Sequence, residues 1–167
     1  MRGKKLSIII TLLILFSFIG NTQFYTKEFS IIPQSMGIAL NWSFETGNFV
    51  ASSPAIVDID NDNEKEIIFG SDDNFLYCLN ADGSLKWSFN ERKGIRSSPT
   101  IVDFDNDGLL EIIVGTYNNR VICVNSEGEL IWSFSTDNWI WSSPAIADID
   151  SDNSLEILIG NSSLLLY

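Results

Sequence analysis

The chain has 167 residues, 22 of them acidic against 10 basic, with no histidine and a formal charge of −12. A surface this acidic repels a phosphate backbone, which excludes nucleic acid as a partner and favours cations. The absence of histidine removes the commonest general base and the usual zinc or copper ligand.

The N-terminus reads "MRGKKLSIIITLLILFSFIG". Arg2, Lys4 and Lys5 precede an uncharged run over residues 6–20, the layout of a secretory signal. The run is short for a membrane span, which needs roughly 20 apolar residues. Residues 1–20 are therefore expected to be a signal peptide or a retained N-terminal anchor. The body of the protein is expected outside the cytoplasm, touching a membrane only through this segment. Residues 21–40 read as a linker, and "WSF" at 42–44 marks a strand over 41–46.

From here the chain repeats every 45 residues. "SSPAIV" at 52–57 returns as "SSPTIV" at 97–102 and "SSPAIA" at 142–147, and "WSF" recurs at 87–89 and 132–134. Gly70, Gly115 and Gly160 keep the period, as do Cys78 and Cys123. A fixed period of this length marks an array of like supersecondary units. Within the first unit, 52–96, the apolar run "AIVDI" leads into an acidic turn and "EIIFG" follows. "NFLYCLN" comes after the polar turn "SDDN". Asp82-Gly83 is a hairpin signal because the turn needs a positive φ, and "LKWSFN" alternates after it. No helical period follows residue 40.

Each unit is thus four short antiparallel strands. The fold class is all-β: a partial β-propeller of about three blades, with units 52–96, 97–141 and 142–167 and the strand at 41–46 as an extra fourth strand. In propellers such a strand commonly completes the last blade. A ring of three is smaller than the usual four to eight. The expectation is an open arc or a piece of a longer propeller, with self-association of two chains into a six-bladed ring as the alternative. The two cysteines sit a whole unit apart, beyond the roughly 7 Å Cα reach of a disulfide, and are expected to be buried free thiols.

The acidic turns carry the chemistry. Asp58, Asp60, Asp62 and Glu66 are matched by Asp103, Asp105, Asp107 and Glu111, and by Asp148, Asp150, Asp152 and Glu156. Carboxylates this close repel, and their recurrence in register points to a cation between them. Calcium takes six to eight oxygen ligands. Alternate aspartates can turn inward, the glutamate can close the site, and Glu64, Leu109 and Ser154 can lend backbone carbonyls. Gly108, with Asn63 and Asn153 at the equivalent positions, suits a left-handed turn. The closing acid is ninth rather than twelfth and no helices flank it, so this is not an EF-hand.

These loops, each followed by an apolar run ending in glycine ("IIFG", "IIVG", "LIG"), resemble FG-GAP/VCBS repeats, as in the integrin α-subunit propeller. The second halves, "CLNADGSLKWSF" and "CVNSEGELIWSF", resemble the tryptophan-bearing repeat of quinoprotein-like propellers. The resemblance implies a β-propeller over residues 42–167 with calcium in the matching loops. Asn63 and Asn153 depart from the family's glycine.

Alternate turns of an up-and-down blade share an end of the sheet. The opposite end, made by blade-connecting loops and second turns, diverges between units: "ETGNFVA", "NERKGIR" and "STDNWIW". Phe49, Arg96, Trp139 and Trp141 there suit an extracellular protein or glycan ligand. There is no repeated catalytic group, no Ser-His or Cys-His pair and no phosphate-cradling loop. An anionic quinone cofactor would find chiefly Arg96 and Arg120. The sequence reads as an exported, non-catalytic calcium-binding module for adhesion or surface scaffolding. The alternative is part of a secreted propeller enzyme, polysaccharide-cleaving or quinoprotein-like.

Overall fold

The computed structural model describes residues 41–163 and 166–167. The expected signal or anchor at 1–20 and the linker at 21–40 lie outside the described residues. The chain divides at Ser43–Phe44, and every blade lies in the part from Phe44 onward.

The first sheet has β1 (Ala55–Val57), β2 (Glu66–Gly70), β3 (Phe75–Leu79) and β4 (Leu85–Asn90), hydrogen-bonded in chain order. The second repeats it with β5 (Thr100–Val102), β6 (Glu111–Thr116), β7 (Arg120–Val124) and β8 (Leu130–Ser135). The third pairs β9 (Ala145–Ala147) with β10 (Glu156–Leu158). Ile159 and Tyr167 then exchange backbone hydrogen bonds of 2.8 and 2.9 Å, which begins a third strand. All pairings are antiparallel, and Cys78 faces Trp87 across β3–β4 as Cys123 faces Trp132 across β7–β8. A register shift follows each cysteine, so even the irregularity keeps the 45-residue period. The all-β, propeller-blade fold read from the sequence is the fold observed.

Strand alternation makes the core. One face of the first sheet (Ile68, Leu76, Cys78) packs with Ile112, Val114, Ile122 and Val124 of the second. The second sheet's other face (Ile113, Val121, Cys123) packs with Ile146, Ile157 and Ile159 of the third. Both cysteines are free and fully buried there.

The repeated "SSP" explains how blades are joined. Its first serine bonds within its own blade: Ser52 Oγ accepts from Gly70 N at 2.8 Å, and Ser97 Oγ from Gly115 N at 3.2 Å. Its second serine bonds backward, since Ser98 Oγ accepts from Ser53 N and Ser143 Oγ from Ser98 N, each 45 residues earlier. Farther out, Trp87 Nε1 donates to Ser126 O at 2.7 Å, and its ring lies where a Cβ on Gly128 would be. Trp87 thus seats on the turn of the next blade.

One expectation is corrected. Residues 41–46 carry no strand. A strand exists only by pairing, and among the described residues no ladder takes these up. Phe44 nonetheless occupies a fourth-strand station: it meets Tyr77 edge-on at 5.4 Å, as Phe134 meets Tyr167 at 6.2 Å, both pairs being separated by the same stretch of chain.

Candidate metal loops and the opposite aromatic face

The three acidic loops join β1 to β2, β5 to β6 and β9 to β10. Each is wound by its own aspartates. Asp58, Asp103 and Asp148 accept through Oδ2 from the N–H five residues on (Asn63, Gly108, Asn153) at 2.9, 3.0 and 3.0 Å. The donating residues have left-handed backbone, with φ of 71° at Asn63, 89° at Gly108 and 70° at Asn153. A second left-handed residue precedes the third aspartate of each loop, at Asn61, Asn106 and Ser151. The asparagines tolerate it because a short polar side chain bonds locally; the repeat "D-N-D" was its only signal in the sequence.

The closing glutamates hold the loops shut. Oε2 of Glu66, Glu111 and Glu156 accepts from the N–H of Ile59, Phe104 and Ile149 at 3.0, 2.7 and 2.8 Å. Carboxylate oxygens of Asp103, Asp105 and Glu111 lie within 4.8 Å of one another, as do those of Asp148, Asp150 and Glu156. In the first loop the converging set is Asp58, Asp60 and Asp62 instead. Asp62, Asp107 and Asp152 each take up the N–H two residues on, at Glu64, Leu109 and Ser154.

The donor set of the second loop fits a hard cation. Asp103 Oδ1 is buried with no hydrogen-bond partner. Burial raises the pKa of Glu111, and the charges of Asp105, Asp107 and Asp103 add to it. A bound positive charge would relieve both. The first loop differs. Lys86 Nζ, from β4, lies 2.5 Å from Asp60 Oδ2 and 3.1 Å from Glu66 Oε1. Burial works against the ammonium, but its hydrogen bonds to the two acids prevail and raise its pKa; Asp60 is lowered by the same contact.

At the other end of the blades the divergent loops meet. Trp139 and Trp141 lie 6.2 Å apart, and Tyr117 contacts them at 5.8 and 6.1 Å. Arg96 stands over Tyr117 at 5.2 Å and grips Asp72 with two nitrogens, at 2.6 to 2.9 Å. Trp139 and Trp141 are about half exposed. Three of the four expected binding residues thus gather around Tyr117. Phe49 is also half exposed, but it joins the group only through its carbonyl, which accepts from Asp72 N at 2.9 Å. Tyr117 was missed in the sequence, although it stands 45 residues after Asp72 in the same turn. Arg120 is engaged elsewhere: it pairs with fully buried Glu91 at 2.6 Å through both Nε and Nη2.

Comparison with known proteins agrees with this architecture. Residues 103–159 match the FG-GAP-like repeat, and residues 30–102 match the λ-carrageenase β-propeller domain. The crystal structure of BamB from Moraxella catarrhalis is similar in fold, with a TM-score of 0.56 at 15% identity over 78% of this chain. This chain spans 37% of the length of that structure. No match was found among curated proteins. The chain is thus built of β-propeller blades, with an FG-GAP-like repeat over residues 103–159.

Proposed function

We propose that this chain is an exported, calcium-stabilised propeller module without catalytic activity, which holds an extracellular protein or glycan on the face built by Arg96, Tyr117, Trp139 and Trp141. The observation that carries it is the convergence of carboxylates in equivalent turns, with the buried Asp103 oxygen left unpartnered. In the second loop Asp103, Asp105, Asp107 and Glu111 would hold the ion with the Leu109 carbonyl. In the third, Asp148, Asp150, Asp152 and Glu156 would hold it with that of Ser154. A bound ion would neutralise carboxylates that otherwise repel and would fasten the hairpin, an architectural rather than a chemical task. Indole faces and a tyrosine, rimmed by Asp72 and Arg96, supply stacking area with polar bonds at its edge. Arg96 and Arg120 are both occupied by carboxylates, which weighs against an anionic quinone cofactor at these positions.

Calorimetric titration with calcium tests the first half. Uptake with a dissociation constant on the order of 10⁻⁴–10⁻³ M, the range of extracellular modules, supports it; no uptake sinks it. A glycan and cell-surface binding screen tests the second, repeated on Trp139→Ala and Trp141→Ala. Unchanged binding per folded molecule would remove the docking face.

A second reading has one observation in its favour, the match of residues 30–102 to a λ-carrageenase propeller domain. On that reading the repeats belong to a polysaccharide-cleaving enzyme. Release of new reducing ends from carrageenan would establish it in place of the non-catalytic module.

A further inference from the structure

We propose that the first acidic loop carries its own cation: the ammonium of Lys86 stands in for a calcium ion, so the folded chain takes up two ions, in the second and third loops, rather than three. This rests on the calcium reading for those two loops and departs from it in the first.

The glutamates are the point of comparison. All three use Oε2 to accept a loop N–H, which leaves Oε1 outside that bond. In the first loop Oε1 is already taken by Lys86 Nζ at 3.1 Å, and the same nitrogen reaches Asp60 Oδ2 at 2.5 Å. Glu66 is 1% exposed, so its charge has little water to fall back on. In the second unit the position of Lys86 is filled by Ile131, which brings no charge to Asp105 or Glu111. Glu156 and Asp150 likewise have no lysine or arginine partner among the described residues. The donor geometry follows: Glu111 and Glu156 converge with their aspartates, whereas Glu66 is drawn out of its set.

A calcium ion and an ammonium cannot share the same two carboxylates without strong repulsion between like charges. Calcium could enter the first loop only by expelling Lys86, which would then lose both partners beside a doubly charged ion. The lysine also does what the ion does elsewhere. It ties the loop between β1 and β2 to the fourth strand of its own blade, and it neutralises acids that would repel. One loop is thereby fastened permanently, and two depend on the surrounding calcium.

The test is calcium titration by calorimetry on the full chain, wild type beside Lys86→Met and Lys86→Arg, with melting of each in chelator. Two ions in the wild type, three in Lys86→Met and two in Lys86→Arg are expected. Three ions in the wild type, or two still in Lys86→Met, overturn the proposal. In chelator, Lys86→Met is expected to melt below the wild type, and in a double-mutant cycle Asp60→Asn should add less on top of it than alone. Equal melting of Lys86→Met and wild type in chelator also overturns the proposal, whatever the calcium count. If no protein takes up calcium but this coupling is present, the calcium reading fails while the internal cation stands. Should Lys86→Met fold only with calcium present, and not with sodium at equal ionic strength, the lysine's substitute role is supported directly.

Discussion

A methyl group added at Gly115 would sit 2.2 Å from Cγ2 of Ile140 and 2.8 Å from its Cβ. Gly70 meets Ile95 in the same way, so in these two repeats the apolar run ends in glycine because the second strand must let the loop that leaves for the next blade press against its backbone. Gly108 serves a different need, since nothing lies within 4 Å of its missing Cβ but its φ is 89°. Denaturant melts should separate the two. Gly115→Ala should cost about 1–3 kcal/mol by overpacking, and Gly108→Ala about 1–2 kcal/mol by backbone strain; equal stability of either variant with the wild type would contradict the geometry. The thiols give a second prediction. Burial pushes Cys78 and Cys123 up to about 12, with Glu66 and Glu111 respectively adding to it. Unfolded thiols ionise lower, so above pH 9 the unfolded chain loses protons that the folded chain keeps, and stability falls as pH rises toward 12. The slope is about 1.4 kcal/mol per pH unit for each thiol. A thiol reagent at pH 8 should label neither cysteine until denaturant is added. At this scale the acids were legible because repulsion without a partner demands explanation. Lys86 was not, because its reach to Glu66 across the sheet depends on how β2, β3 and β4 are stacked side by side.

Among the elements, the strands were legible wherever β-branched and apolar residues alternate between turn signals, and the period multiplied each signal. Residues 41–46 failed because strand pairing is non-local: "WSF" has the composition of a fourth strand, but among the described residues no third strand pairs with it. What holds one sheet to the next was only half visible. The serine contacts repeat, whereas the Glu91–Arg120 clamp does not: Thr46 and Thr136 stand at the positions equivalent to Glu91. Glu91 is fully buried and also accepts from Thr116 Oγ1 at 3.1 Å, so it joins the end of β4 to β6 and β7 of the next blade. Removing one partner strands a buried charge. Arg120→Ala should therefore cost at the lower end of about 3–5 kcal/mol, since Arg120 keeps some contact with water. Arg96 pairs with Asp72 at a similar distance but is 43% exposed. Arg96→Ala should cost about 0–1 kcal/mol. Chemical denaturation of the two variants side by side checks the contrast, and comparable losses would mean that burial does not separate these pairs.

For the whole molecule the decisive feature is an asymmetry between sheet faces. Ile59 and Val121 are buried, at 1% and 3% exposure, by the sheet that follows each. Their counterparts in the third blade, Ile149 and Leu166, are 58% and 69% exposed. The first blade offers Ile56 at 68%, although its counterparts Ile101 and Ile146 pack into the cores. A face patterned to meet another blade gains roughly 25 cal/mol for each Å² of apolar surface it covers. Propeller faces are complementary in sequence order, so the outer face of the third blade matches the entry face of the first. Association through them would run head to tail, closing as a ring or continuing as a chain according to the angle between blades. The chain of 167 residues is accordingly expected to associate as its concentration rises. Sedimentation velocity at increasing concentration measures this. Ile149→Lys should reduce it sharply with little change in the melting of the first two blades, because Ile149 is solvent-facing in the single chain. Association that persists in Ile149→Lys and also in Ile56→Lys would place the contact elsewhere, and a monomer at every concentration would mean that the two faces do not pair.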